Sequence, residues 1–302
     1  MRKIFFSLQI LLLSAAWAEP ALGITGAVNW EKMTIEAQVS LDLASAGIRL
    51  PTGRSQGEEL IRAGYSGLIR PRILSLPVDS SRTVADYVRS GDLSLSRVEA
   101  FAWKAQLRPP AHSADLSSLN AAYRLNLADL AAEFLSHTRP AEPPRIIAPP
   151  PSADHTGILI IAGEELPLHG TGRSAIPLPC LFPKIWDTDM NLVYEKNMLE
   201  VPDGKTPAPH YTGRAKIFLP SPSGLSPEVS EVVGERPLRI LARGVFGIRP
   251  TDPVIHRDDA VLILSSENNR RLLREGRVMI VLDDRALEDP FNLDREKNPG
   301  IR

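Results

Sequence analysis

Residues 259–283 read DAVLILSSENNRRLLREGRVMIVLD. Two apolar runs, DAVLIL and RVMIVLD, flank a polar stretch framed by Ser265-Ser266 and Gly276. A serine side chain accepts from the free amides of a helix's first turn, and glycine takes the left-handed backbone that ends one. The middle is therefore predicted as a helix, capped by Ser265 or Ser266 and stopped at Gly276. Runs that are apolar throughout suit strands buried on both faces, as in parallel sheets. The stretch reads as strand–helix–strand. A parallel pair needs a crossover, for which this helix is short, so an antiparallel return stays open.

Further apolar runs of β type lie upstream: TGILIIAG (156–163), LFPKIWD (181–187), NLVYE (191–195), AKIFLP (215–220) and LRILARGVF (238–246). Residues 155–290 are predicted to be a mixed β-sheet domain with few helices. TRPAEPPRIIAPPPSAD (138–154) precedes it; its prolines remove backbone donors and favour an extended path, so it reads as a semi-rigid linker. The polar tail from 291 to 302 reads as disordered.

Residues 24–137 are predicted to form a second small domain, a strand–helix–strand–helix sandwich, which makes the chain α/β (α+β). MTIEAQVSLDL alternates, with Ile35, Ala37, Val39, Leu41 and Leu43 on one side. SQGEELIRAGYSGLIRPRIL has approximate helical spacing, and Pro71 is expected to kink or end it. SSRTVADYVRSG reads as a helix from an N-cap at Ser80 or Ser81 to Gly91. RVEAFAWKAQL alternates again and reads as a strand. SLNAAYRLNLADLAAEFLSH reads as a closing helix with Leu127, Leu130, Ala131 and Phe134 on one face.

The chain has 302 residues, enough for one large or two ordinary domains. Aromatics are only 6%, so the cores are expected to be aliphatic. A formal charge of −1 offers no basic excess to meet phosphates, which argues against nucleic acid as a partner. The start, MRKIFFSLQILLLSAAWAEP, has a basic opening, a short apolar run and Ala16-Trp17-Ala18, the pattern of a cleavable signal peptide over 1–18. Removing Arg2 and Lys3 takes the formal charge from −1 to −3. The mature chain has no apolar stretch long enough for a transmembrane helix. These features predict a periplasmic protein. A single cysteine, Cys180, allows no internal disulfide and reads as a small buried hydrophobe.

Asp187, Asp189 and Asn191 alternate like the first ligands of a calcium loop. Counting from Asp187, however, the sixth and twelfth positions are Leu192 and Met198, where such a loop needs glycine and glutamate. Asp and Asn also favour turns, so the expectation is a hairpin corner. HGTGRS (169–174) lacks the Gly-Lys-Ser/Thr ending of a phosphate loop. Asp258 and Asp259 beside His256 read as a cap and turn rather than as a hydrolase's acids. His112, His137, His155, His169, His210 and His256 show no metal-ligand spacing. No catalytic, cofactor-binding or metal residue is assigned, and no enzyme activity is expected.

HTGILIIAGEELPL, LFPKIWDTDMNLVYE, VGERPLRILARGVFG and DAVLILSSENNRRLLREGRVMIVLDD occur in that order over residues 155–284. This resembles exported bacterial proteins related to the FlgP flagellar lipoproteins. Thr156, Gly157, Pro183, Asp187, Tyr194, Ala260, Arg277 and Asp283 carry the likeness. Met190-Asn191 stands where that family commonly has glycine, and its lipid-attachment cysteine is missing. The resemblance implies a non-catalytic structural or assembly role in the cell envelope, associated with the outer membrane or the flagellar motor. It implies other envelope or flagellar proteins, or further copies of the chain, as partners. A periplasmic ligand- or metal-binding module is the alternative.

Overall fold

The computed structural model describes residues 22–135, 137, 139–149, 153–200, 209–220 and 223–293. The signal peptide at 1–18, part of the 138–154 segment and the tail from 294 lie outside the described residues. The chain is a mixed α/β protein of two domains, the second richer in sheet.

The first domain begins with β1 (Leu22–Asn29) and β2 (Thr34–Asp42). In β2, Ile35, Ala37, Val39 and Leu41 are buried while Glu36 and Gln38 are exposed, the alternation expected of a half-wet strand. Helix α1 follows (Arg54–Ser75), then α2 (Val84–Ser90) and α3 (Leu95–Trp103). Strands β3 (Gln106–Leu107), β4 (Ala111–His112) and β5 (Ser118–Asn126) and helix α4 (Leu127–Ala132) complete the unit. The sheet is antiparallel, in the order β15-β1-β2-β5-β3, with β4 also on β5; β15 is Glu288–Asn292, from the other end of the chain. The helices cover its inner face, where Tyr65 of α1 stacks on Tyr123 of β5 at 3.7 Å.

Three local expectations for this domain are corrected and a fourth is narrowed. Of the two outcomes expected at Pro71, ending the helix is excluded, since α1 runs on to Ser75. The buried face of Ile61, Tyr65, Leu68, Ile69 and Ile73 continues past it, and that burial outweighs the roughly 3 kcal/mol cost of an internal proline. Thr83, not Ser80 or Ser81, caps α2 through a reciprocal pair with Asp86, because Asp79 holds Ser81 and Arg82 in a turn of their own. RVEAFAWKAQL is largely helix α3: Val98, Phe101 and Ala102 are buried at helical spacing, and Trp103 faces solvent. The first half of the expected closing helix is strand β5, where Leu119, Ala121, Tyr123 and Leu125 are buried with a period of two. The helix begins only at Leu127, capped by Asn126.

The second domain contains β6 (Ile158–Ile161), β7 (Leu166–Leu168), β8 (Arg173–Ala175), β9 (Ile185–Asp187), β10 (Leu192–Tyr194), β11 (His210–Gly213), α5 (Pro227–Val233), β12 (Leu238–Phe246) and β13 (Asp252–Ile255). Helices α6 (Arg257–Ser265) and α7 (Glu267–Arg274) and strand β14 (Val278–Leu282) follow. The sheet order is β10-β9-β13-β12-β6-β14-β11, with the β7–β8 pair joined to β12. β12, β6, β14 and β11 are mutually parallel, and β12–β13 and β9–β10 are antiparallel, so the sheet is mixed.

DAVLIL is not a strand. It lies in α6, where Ala260, Ile263 and Leu264 form the buried stripe and Asp258 and Asp259 occupy the first turn. An acidic first turn suits the positive end of the helix dipole. β14 is parallel, but its partners are β6 and β11. AKIFLP is not a strand either: a 3-10 turn spans Arg214–Lys216, and β11 ends just before it. The helix capped by Ser266 and followed by Gly276 at φ 68° forms as expected.

The two domains share one core. Leu181 N donates to Pro77 O at 3.0 Å and Phe182 N to Val78 O at 2.8 Å. Trp30 packs edge-on against Tyr211, and its backbone N–H donates to Leu287 O. β15 pairs with β1 from Thr25↔Asn292 to Asn29↔Glu288. Residues 291 and 292, read as disordered tail, are therefore strand: Phe291 packs on the core and Arg72 lies over its ring. The described part of the Pro-rich segment is also held down. Ala141 N bonds to Asn197 O, Ile146 N to Leu264 O, and Glu142 pairs with Arg274.

Candidate functional site: the cleft between the domains

The β9–β10 hairpin forms where it was expected, but the chemistry lies at its stem. At the corner, Asp187 is buried and its Oδ1 accepts from Asp189 N at 2.9 Å and Asn191 N at 2.8 Å. Asn191 Nδ2 donates to Oδ2 at 2.9 Å. The carboxylate is thus committed to folding its own turn, while Asp189 pairs with Arg257 at the surface. Met190, not Asn191, takes the left-handed conformation, at φ 62°. Asn191 is held instead by its three bonds to the Asp187 carboxylate and by accepting from Asp187 N at 3.0 Å. Among the described residues, no group of three or more His, Cys, Asp or Glu could hold a metal ion.

The two ends of the hairpin open on a cleft of about 520 Å³ between the domains. The second domain supplies Phe182 and Lys184 before β9 and Glu195, Lys196 and Asn197 after β10. The first domain supplies Asp79, Arg82, Tyr87, Asp92, Arg97, Glu133 and Phe134, from the turn after α1, from α2 and α3, and from the end of α4. Concave sites at domain junctions are common places for ligands.

The cleft's charges are organised around Asp79 and Lys196. Burial works against the Asp79 carboxylate, but hydrogen bonds from Ser81, Arg82 N and Tyr87 Oη outweigh it and hold its pKa below the ordinary value. Burial, and then the Asp79 charge, push the Tyr87 hydroxyl up to about 12. Arg82 lies over the Tyr87 ring at 3.7 Å and pairs with Asp92 at 3.1 Å. Lys196 Nζ sits 5.2 Å from the Phe182 ring centre, 5.6 Å from Tyr87 and 6.0 Å from Phe134, and donates to Phe134 O at 3.3 Å. Burial lowers its pKa, with Asp79 partly opposing. Lys184 lies over Trp186 at 5.8 Å.

Behind the cleft, Asp252 is fully buried. It accepts from Lys184 N at 3.1 Å, Trp186 Nε1 at 3.3 Å and Thr251 Oγ1 at 3.1 Å. Burial raises its pKa, and these bonds oppose that. Cys180 is buried nearby, its thiol pushed up by burial and then by Asp252, which leaves it protonated and unreactive at neutral pH. His256 caps α6, with Nδ1 accepting from Asp258 N at 3.2 Å.

The cleft presents cations, carboxylates and ring faces. Its residues were not legible in the sequence. They come from six separate stretches; Lys184 lies within LFPKIWDTDMNLVYE, but is none of its matched positions Pro183, Asp187 and Tyr194, and Lys196 lies just beyond it. The one available hint was that Lys184 sits in the first strand of a predicted hairpin and Lys196 just after its second.

No curated protein matches the chain. Residues 21–133 match the family model described as Treponema pallidum Tp0624, N-terminal domain. Residues 157–284 match the one described as Treponema pallidum Tp0624, second domain, so this chain carries, in the same order, two domains similar to those of that protein.

Proposed function

We propose that this is an exported, non-catalytic structural or assembly protein of the bacterial cell envelope, working beside other envelope proteins as an accessory of the flagellar motor. The observation that carries the reading is the fusion of the two domains into one body. A shared core, the β15–β1 pairing and the pinned Pro-rich segment remove the hinge that a clamp-like enzyme would use. Among the described residues no helix is long and apolar enough to cross a membrane. The flagellar placement rests on the FlgP-like pattern of residues 155–284.

Deletion of the gene, with cell fractionation and a swimming assay, tests the proposal. The expected result is protein in the periplasmic or outer-membrane fraction and impaired motility in the deletion strain. A cytoplasmic protein, or an intact envelope with normal swimming, would overturn it. The cleft favours a second reading, a periplasmic ligand-binding module. The corner at Asp187 lends a metal no support, because its oxygens are already used.

A further inference from the structure

We propose that the cleft between the domains binds a small organic oxyanion, a carboxylate or a phosphate ester of about dipeptide size, between Lys184 and Lys196. This deepens the ligand-binding reading and does not depend on the architectural one.

The case is one of charges left over. Three of the cleft's four carboxylates are strongly engaged: Asp79 by Ser81, Arg82 and Tyr87, Asp92 by Arg82 and Ser90, and Glu133 by Arg97. Those contacts also occupy both arginines. The two lysines are different. Among the described residues neither has a carboxylate within ion-pair distance. Lys184 has only the Trp186 ring. Lys196 has one acceptor, Phe134 O, for an ammonium that carries three donors.

The ring box around Lys196 holds the ammonium in place before any ligand arrives, which lowers the ordering cost of binding. Partial burial strengthens its attraction for an anion relative to an exposed lysine. The cavity of about 520 Å³ is within the range that small-molecule sites occupy. Glu195, whose partner in the structure is Asn197, can take the donor end of a ligand such as a peptide N–H.

The test is calorimetry and thermal melting of the full mature chain with three probes: N-acetyl-dialanine, its C-terminal amide, and glycerol phosphate. At least one of the two oxyanions is expected to bind and, at about tenfold over its Kd, to raise the melting temperature by about 3 °C, whereas the amide does not. Which oxyanion binds identifies the source of the charge. Lys184→Met and Lys196→Met should each weaken binding about tenfold or more. If Lys196→Met does not fold, Lys184→Met, at a half-exposed position, decides alone. No melting shift with either oxyanion at about 10 mM, amide binding equal to that of the acid, or wild-type affinity in Lys184→Met overturns the proposal.

Discussion

The first sheet and the second meet water differently. The first is antiparallel, with helices on one face; on the other, Thr25, Glu36, Gln38 and Arg124 are exposed. The parallel centre of the second is covered on both faces. Ile158, Ile160, Val278, Ile280 and Leu282 belong to the main core with α6 and α7, while Leu159, Met279 and Val281 pack with Val229 and Val233 of α5. An alternating strand therefore has a spare face for substitutions, and a strand covered twice has none.

The sharpest test of that contrast is a pair of truncations. Ile160→Ala in β6 should cost about 3–4 kcal/mol in denaturant unfolding, because the cavity sits between two layers that cannot both collapse. Gln38→Ala on the wet face of β2 should stay within about 0.5 kcal/mol. Similar losses at both would break the contrast.

The hairpin corner of the second sheet should come next. Asp187→Ala strands the amides of Asp189 and Asn191, and an expected loss of about 2 kcal/mol would appear as a lower urea midpoint. Calcium should leave both proteins' melting temperatures unchanged, and a calcium-dependent gain in the parent would return the corner to the metal reading.

The sheets should also differ in their response to pH. Asp42, at the end of β2, has its pKa lowered by bonds from Ser45, so its contribution is present at neutral pH and is lost as pH falls through the lowered value. Asp252 on β13 has its pKa raised by burial. Its charged form is disfavoured in the fold, so stability rises as pH falls from the raised value towards 3.8. Stability of the parent minus that of Asp252→Asn should grow across that window on acidification, and parent minus Asp42→Asn should shrink at lower pH. A flat Asp252 difference would mean that the site is not desolvated.

The smallest effect is expected at Met190. Glycine there relieves a left-handed backbone at some cost in chain entropy, for a net gain of about 0.5 kcal/mol. A loss would show that the Met190 side chain contributes packing which outweighs the strain.

The elements legible in the sequence were those with one period and a clear stop. β2 announced itself by alternation, α7 by Ser266 and Gly276, and the β9–β10 hairpin by its polar corner. DAVLIL was misread because five apolar residues in a row fit a buried strand and a helix face equally well, and RVEAFAWKAQL because the apparent alternation of Val98, Ala100 and Ala102 hid the helical spacing of Val98, Phe101 and Ala102; only the neighbours that bury Ile263 or Phe101 decide. β5 was misread because its alternation runs directly into the helical spacing of α4.

The sequence by itself determined that the chain is mixed α/β, that its second part is a sheet of apolar strands, and that Asp187–Asn191 is a turn. Those are local matters, set by side-chain period and by which side chains can bond their own backbone. Only the tertiary structure decided that β15 completes the first sheet, that the Pro-rich segment is held against the second domain, and that Lys184 and Lys196 face one cleft with Tyr87 and Phe134. Each joins residues roughly fifty or more positions apart, and no sequence period spans that distance. What brings them together is the burial of a core that both domains share.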